Sequence, residues 1–210
     1  MGAALIELQV GDEPAAWQRA GFHVEDGSTW IGDVRLRLVG ESNGRGIASW
    51  GFEAPPVAGE LDGLPVHAAT PAAPPSTPHP NGVTGFDHLV VSSPDLDRTI
   101  EAYTDAGLEL RRTRDIDTPD APRRQCFFWI GEVILELVGP REPSGDGPSR
   151  FFGVACTVAD LDATAASLGE SCSAPKDAVQ PGRRIATLRH KPLGMSVPVA
   201  FMSAHVPPAS

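Results

Sequence analysis

Trp129-Ile130-Gly131-Glu132-Val133-Ile134-Leu135-Glu136-Leu137-Val138-Gly139 decides how this chain is read, because a near-copy precedes it at Trp30-Ile31-Gly32-Asp33-Val34-Arg35-Leu36-Arg37-Leu38-Val39-Gly40. Eight of the eleven positions are identical and one more exchanges Glu for Asp. Two such copies make an internal repeat, and a repeat constrains the fold before any single element does. The informative differences fall on alternate residues: Ile134 and Glu136 in the later copy are Arg35 and Arg37 in the earlier one. Alternate residues of a strand share a face.

Composition sets the outer limits. With 210 residues, 41% hydrophobic and 21% charged, the chain has the balance of a soluble globular protein and enough length for a sizeable core. A net charge of −10 argues against general nucleic-acid binding and against an anionic membrane surface. No apolar run reaches the roughly 20 residues that span a bilayer, and Met1–Val10 lacks a basic flank and cleavage site, so a cytoplasmic location is expected. Cys126, Cys156 and Cys172 are an odd set without CxxC spacing, which disfavours a disulfide framework or a zinc knuckle.

Working outward from the repeat, the earlier copy sits in a strand-helix-strand pattern. Ala4–Val10 alternates as a strand, Asp12–Ala20 is helix-compatible and stopped by Gly21, and Ser28–Ile31 and Val34–Val39 form a hairpin followed by a strand-like run over Gly46–Glu53. Residues 54–82 then carry eight of the 21 prolines. Proline cannot donate to a sheet ladder, so 55–83 reads as an irregular linker. The pattern resumes with a strand at Phe86–Ser92, a helix capped by Ser93 or Asp95 and stopped by Gly107, and strands at 108–114, 124–130 and 133–138. A third pass has strands at 151–158, 184–189 and 197–202, with a helix at 160–168. The helices of the last two passes open alike, on Pro94-Asp95-Leu96-Asp97 and Ala159-Asp160-Leu161-Asp162. The expected class is α+β: a degenerate βαβββ unit over 1–54, the linker, and two further units over 84–210.

This organisation, with the Phe86-Asp87-His88-Leu89-Val90-Val91 opening and the Leu135-Glu136-Leu137-Val138-Gly139 closing strand, resembles the vicinal oxygen chelate superfamily of glyoxalases, bleomycin resistance proteins and extradiol dioxygenases. The resemblance implies units paired into a half-open barrel whose concave face can hold a divalent metal, with ligands on the first and fourth strands of each unit. His88 and Glu136 match both places in the second unit. The third unit has Gly153 and Ala200 there, and the first has Glu7 and Arg37. Strand alternation independently places His88 with Val90 and Ser92, and Glu136 with Ile134 and Val138. A carboxylate in an otherwise apolar strand costs several kcal/mol unless paired, metal-bound or wet, so Glu136 marks a cavity.

Two ligands are fewer than a catalytic zinc takes. His190 is the nearest further histidine, whereas His23, His67, His79 and His205 fall in turns, linker or tail. The expectation is therefore no metal, with zinc, iron, nickel or manganese on His88 and Glu136 as the alternative. His88 and Glu136 are also the catalytic candidates, one as general base and the other orienting it. Arg124, Trp129 and Arg184 are the substrate-binding candidates, because guanidinium suits carboxylates and phosphates and Trp129 suits a ring. Function is then either a lyase, isomerase or dioxygenase of glyoxalase type on a small oxygen-rich molecule, or metal-free small-molecule sequestration. A small-molecule ligand and a homodimer are the expected partners, without nucleic acid or membrane.

Overall fold

The computed structural model describes residues 3–117 and 122–204; His205 lies outside them. The first elements are β1 (Leu5–Val10), α1 (Pro14–Arg19), β2 (Ser28–Ile31), β3 (Val34–Leu38) and β4 (Ile47–Phe52). Next come β5 (Glu60–Leu61), β6 (Leu64–Ala68), β7 (Val83–Ser92), α2 (Leu96–Asp105), β8 (Leu110–Asp117), β9 (Pro122–Ile130) and β10 (Val133–Pro140). The chain closes with β11 (Arg150–Val158), α3 (Leu161–Leu168), β12 (Lys176–Asp177), β13 (Arg184–Thr187) and β14 (Val199–Ser203). No described helix is long and apolar enough to cross a membrane.

The class is α+β, with a six-stranded sheet in the order β2-β3-β1-β4-β6-β5 and an eight-stranded sheet in the order β12-β13-β14-β11-β7-β10-β9-β8. Both orders follow one logic. Two opening strands stand at the centre, and each is flanked outward by its own unit's closing hairpin. β10 runs parallel to β7, β14 to β11 and β6 to β4. The residues 47–68 thus form a helix-less unit of their own, and β4 opens it rather than closing the first unit.

Part of this unit falls in the stretch expected to be irregular. The hairpin Leu61-Asp62-Gly63-Leu64 has both central residues at positive φ, 48° for Asp62 and 82° for Gly63. That is the type I′ geometry whose twist suits a two-residue hairpin, and Asp-Gly is a preferred sequence for it. Pro65 sits beside Glu60 on this hairpin and is exposed.

The chain separates into two compact units. One comprises Met1–Gln9, Ile47–Ala72 and His88–Gly153; the other comprises Val10–Gly46, Ala73–Asp87 and Val154–Ser210. In the first, Trp50 packs against Phe52, Tyr103 and Phe151, and Tyr103 against Phe128, with centroids 5.4 to 6.1 Å apart. Leu89, Val91, Leu135 and Leu137 are fully buried beside them. In the second, Trp17, Phe22 and Phe201 form the centre, with Ile31, Leu36 and Val154 also buried. α2 and α3 start where the Pro/Ala-Asp-Leu-Asp pairs predict. Asp95 accepts from the Arg98 amide at 3.1 Å, and Asp160 from the Asp162 and Ala163 amides at 3.0 Å. Such caps contribute about 1 kcal/mol each.

Candidate functional site

The pleat of β10 sorts its residues cleanly. Val133, Leu135 and Leu137 are buried against the core, while Ile134, Glu136 and Val138 lie on the opposite face. Register carries this face across its neighbours. On β7, His88, Val90 and Ser92 pair with Ile134, Glu136 and Val138. On β9, Trp129, Phe127 and Gln125 pair with the same three. On β8, Arg112 and Arg114 stand opposite Phe127 and Gln125. One open face therefore carries His88, Glu136, Gln125, Arg114 and the rings of Phe127 and Trp129.

The polar groups form a chain across it. His88 Nε2 lies 3.6 Å from Glu136 Oε2, which is ion-pair range rather than a hydrogen bond. The other carboxylate oxygen accepts the side-chain amide of Gln125 at 2.5 Å. The Gln125 carbonyl in turn accepts from Arg114 Nε at 2.8 Å, and the Arg114 guanidinium lies 5.8 Å from the Phe127 ring centroid. His88 and Glu136 keep 18% and 14% of their side-chain surface, so both are reachable yet mostly desolvated. The carboxylate that needed explaining is thus held by an amide and faced by an imidazole. Arg114 was not legible beforehand, since only the β8–β9 register shows which face it takes.

The other candidates distribute unequally. Trp129 shares the face of Glu136 and is 45% exposed. Arg124 does not: three residues from Phe127 on a regular ladder, it projects from the other side of β9 and pairs with Asp115 at 2.7 Å. Arg124 in turn holds the Asp115 carboxyl below the usual carboxylate range. Arg184 belongs to the second compact unit, where it makes a bidentate pair with Asp162 at 2.6 and 3.1 Å. His190 sits at the start of a 3-10 turn rather than on a strand. The cysteines are all free and buried, and burial pushes the Cys126 thiol up to about 11, so none is a poised nucleophile.

The other units keep the scaffold of the site without its groups. On β11 and β14, Ala155 pairs with Ala200 as Val90 pairs with Glu136, which places Gly153 where His88 stands. Neither Gly153 nor Ala200 can ligate or transfer a proton. Glu7 of β1 is 1% exposed and accepts from His67 Nε2 of β6 at 3.0 Å. His67, expected at the surface of a linker, is instead the half-buried partner of that acid. Gly51 leaves it room, since a Cβ there would stand 2.5 Å from His67 Nε2.

A divalent metal, which the resemblance implies, finds an incomplete donor set. Among the described residues no group of three or more His, Cys, Asp and Glu side chains comes together. His88 and Glu136 supply two donors where a catalytic zinc takes three, and one carboxylate oxygen is engaged by Gln125. The residues of this face do not fit a complete protein-held metal centre.

Residues 85–183 match the family profile of the Glyoxalase/Bleomycin resistance protein/Dioxygenase superfamily. No curated protein sequence matches the chain. Among solved structures, a 4-hydroxymandelate synthase variant from Streptomyces coelicolor aligns over 100% of this chain and 95% of its own, with TM-score 0.67 and 13% identity. A catechol 2,3-dioxygenase aligns over 100% and 94%, with TM-score 0.57 and 16% identity. The Mn(II)-bound glyoxalase from Novosphingobium aromaticivorans aligns over 96% and 82%, with TM-score 0.57 and 12% identity. At these identities the likeness shows the fold and nothing finer. Residues 85–183 are thus similar to the Glyoxalase/Bleomycin resistance protein/Dioxygenase superfamily, and the chain shares the fold of these solved structures.

Proposed function

We propose that the open face of β7, β10, β9 and β8 is a proton-transfer site for a small oxygen-rich molecule. The observation that carries this reading is the spacing of His88 Nε2 and Glu136 Oε2, close enough to share a charge and too far apart for a tight hydrogen bond. His88 takes a proton from carbon adjacent to a substrate carbonyl, and the imidazolium so formed is stabilised by the Glu136 carboxylate. Gln125 fixes that carboxylate, and Arg114 fixes Gln125. Phe127 and Trp129 supply the apolar floor. A transfer of this kind contributes about 10²- to 10⁴-fold to rate.

A second reading, a binding protein without chemistry, is favoured by the 45% exposure of Trp129 on the same face. Exposed aromatic surface beside a few polar groups is a usual small-molecule platform. A homodimer is part of either reading, since the six-stranded sheet is open and ends at β5, an edge strand that a second copy would cover.

The test is exchange of carbon-bound hydrogen for solvent deuterium, followed by NMR over a panel of small 2-oxo and 2-hydroxy acids. Exchange by the wild type that falls by about 100-fold or more in His88→Asn and Glu136→Gln supports the catalytic reading. Saturable binding without exchange supports the binder. Equal exchange in wild type and both variants removes His88 and Glu136 from the chemistry.

A further inference from the structure

The earlier copy of the repeat builds a cavity of its own. Trp30 stands opposite Arg35 and Ser28 opposite Arg37 on the β2–β3 hairpin, so these four share one face. Together with residues 73–79 they line a cavity of about 760 Å³, inside the second compact unit. That volume lies in the range of small-molecule sites, roughly 300 to 1,000 Å³. The Arg35 guanidinium lies 5.7 Å from the Trp30 ring centroid, a cation–π arrangement that pre-orients the charge beside an apolar surface.

The proline-rich wall is fixed in place. His79 Nε2–H donates to the Trp30 carbonyl at 2.6 Å, and its Nδ1 accepts the His23 amide at 2.9 Å. The two bonds specify the neutral tautomer. The Asn81 side chain donates to the Ala20 carbonyl at 2.9 Å. Burial of His79 keeps its pKa below the ordinary histidine value, so these bonds persist at neutral pH.

The charges of the lining narrow the ligand. Arg35 and Arg37 lie within β3, whereas the acids Glu25, Asp26 and Asp33 lie in the turns at the hairpin's two ends. Glu25 lies 3.9 Å from His23 Nε2. Two guanidiniums attract an anion, and three carboxylates at the turns repel one of high charge. Trp30 and the prolines offer flat apolar surface. In the later copy the same positions hold Ile134 and Glu136, so the two faces must select different ligands.

We propose that this cavity binds a small aromatic monocarboxylate, its carboxylate on Arg35 and Arg37 and its ring against Trp30 and the proline wall. The site does not depend on the chemistry of His88 and Glu136. It is tested by calorimetric titration of the full chain with benzoate, benzamide and phenyl phosphate. Benzoate is expected to saturate at one per chain, with uncharged benzamide and dianionic phenyl phosphate each about tenfold weaker or worse. Arg37→Glu, and Arg37→Gln as a milder change at an exposed position, should weaken benzoate by about tenfold or more. Glu136→Gln should leave benzoate binding unchanged. No benzoate binding, equal affinity for benzamide, indifference to both Arg37 variants, or loss on Glu136→Gln would each overturn the assignment.

Discussion

Asp62 is a position outside the hydrophobic core at which a single atom change should be costly. It sits in the β5–β6 turn, with its side chain 9% exposed. Its carboxylate accepts from Arg98 Nε at 2.9 Å and Nη2 at 3.3 Å, and from the hydroxyls of Thr99 and Ser149, each at 2.5 Å. Thr99 and Ser149 are themselves buried. Four donors thus converge on one acceptor group. Breaking a buried charge pair costs about 3 to 5 kcal/mol, but Arg98 keeps 32% exposure and can turn back to water. Thr99 also has alternative acceptors for its one hydroxyl proton, since its Oγ1 lies 2.9 Å from the Asp95 carbonyl and 2.7 Å from Ser93 Oγ. Asp62→Asn, which keeps one acceptor oxygen and tolerates the positive φ, should therefore cost about 2 kcal/mol. Asp62→Ala should cost about 3 to 4 kcal/mol, because it removes every acceptor and adds strain at φ 48°.

The same node makes a signed pH prediction. Burial alone would raise the Asp62 pKa, but the bonds from Arg98, Ser149 and Thr99 outweigh it and hold the group below the usual carboxylate range. A depressed folded-state pKa means that the unfolded chain binds the proton more readily in acid. The stabilisation is thus fully present above about pH 4, where the unfolded carboxylate is ionised, and is lost as pH falls through the folded value. Urea denaturation of wild type and Asp62→Asn from pH 7 to pH 2.5 measures both. The gap between them should be constant above pH 4 and close below it. A variant as stable as wild type at pH 7, or a gap that widens in acid, would refute this account of the node.

Two other perturbations separate local causes. Gly139→Ala should destabilise by about 1 to 3 kcal/mol, because a Cβ there would stand 2.4 Å from the Ser93 carbonyl oxygen and 2.9 Å from Leu96, whereas Gly145→Ala, with open space around it, should be neutral in the same denaturation assay. His79 titrates below the ordinary 6.5 of histidine through burial, so its unfolded form gains a proton first and wild-type stability should fall as pH drops from 7 through 6.5. His79→Gln should flatten that slope in thermal melts, and an equal slope in both proteins would show that His79 is not the group responsible.

What could be read in advance was whatever depends on one strand at a time. Leu135, Glu136 and Leu137 alternate between core and open face as their types require, and His88 follows the same rule on β7. What could not be read depends on register or on a partner far along the chain. Arg124 was assigned to the site, yet pairing of Glu136 with Phe127 puts odd-numbered residues of β9 on the open face and Arg124 on the other. Arg114, 22 residues before Glu136, reaches it through Gln125 only because β8 pairs with β9. Residues 47–68 escaped as a unit because 55–68 were read together with the proline-rich stretch that follows them, although Leu61-Asp62-Gly63-Leu64 carried a hairpin signature. His67 and His79 followed the same misreading, and both prove to be hydrogen-bonded inside the structure.

The repeat itself shows why chemistry can differ where the sequence is most alike. Four of its eight identical positions are Ile31, Val34, Leu36 and Leu38 in one copy and Ile130, Val133, Leu135 and Leu137 in the other, all buried. Burial explains their identity: a change of one methylene in a close-packed core is felt. Identity at the last glycine has two different causes. Gly40 adopts φ 75°, while Gly139 lies under the Ser93 carbonyl without needing a positive φ. The alternate residues, 35 and 37 against 134 and 136, meet no such demand, because their side chains leave the core face. Substitution there alters ligand chemistry without touching the packing that sets the strand. A face bearing Ile134 and Glu136 beside His88, and another bearing Arg35 and Arg37 beside Trp30, are therefore two outcomes of one scaffold. Function in this chain has to be sought in the residues by which the copies differ.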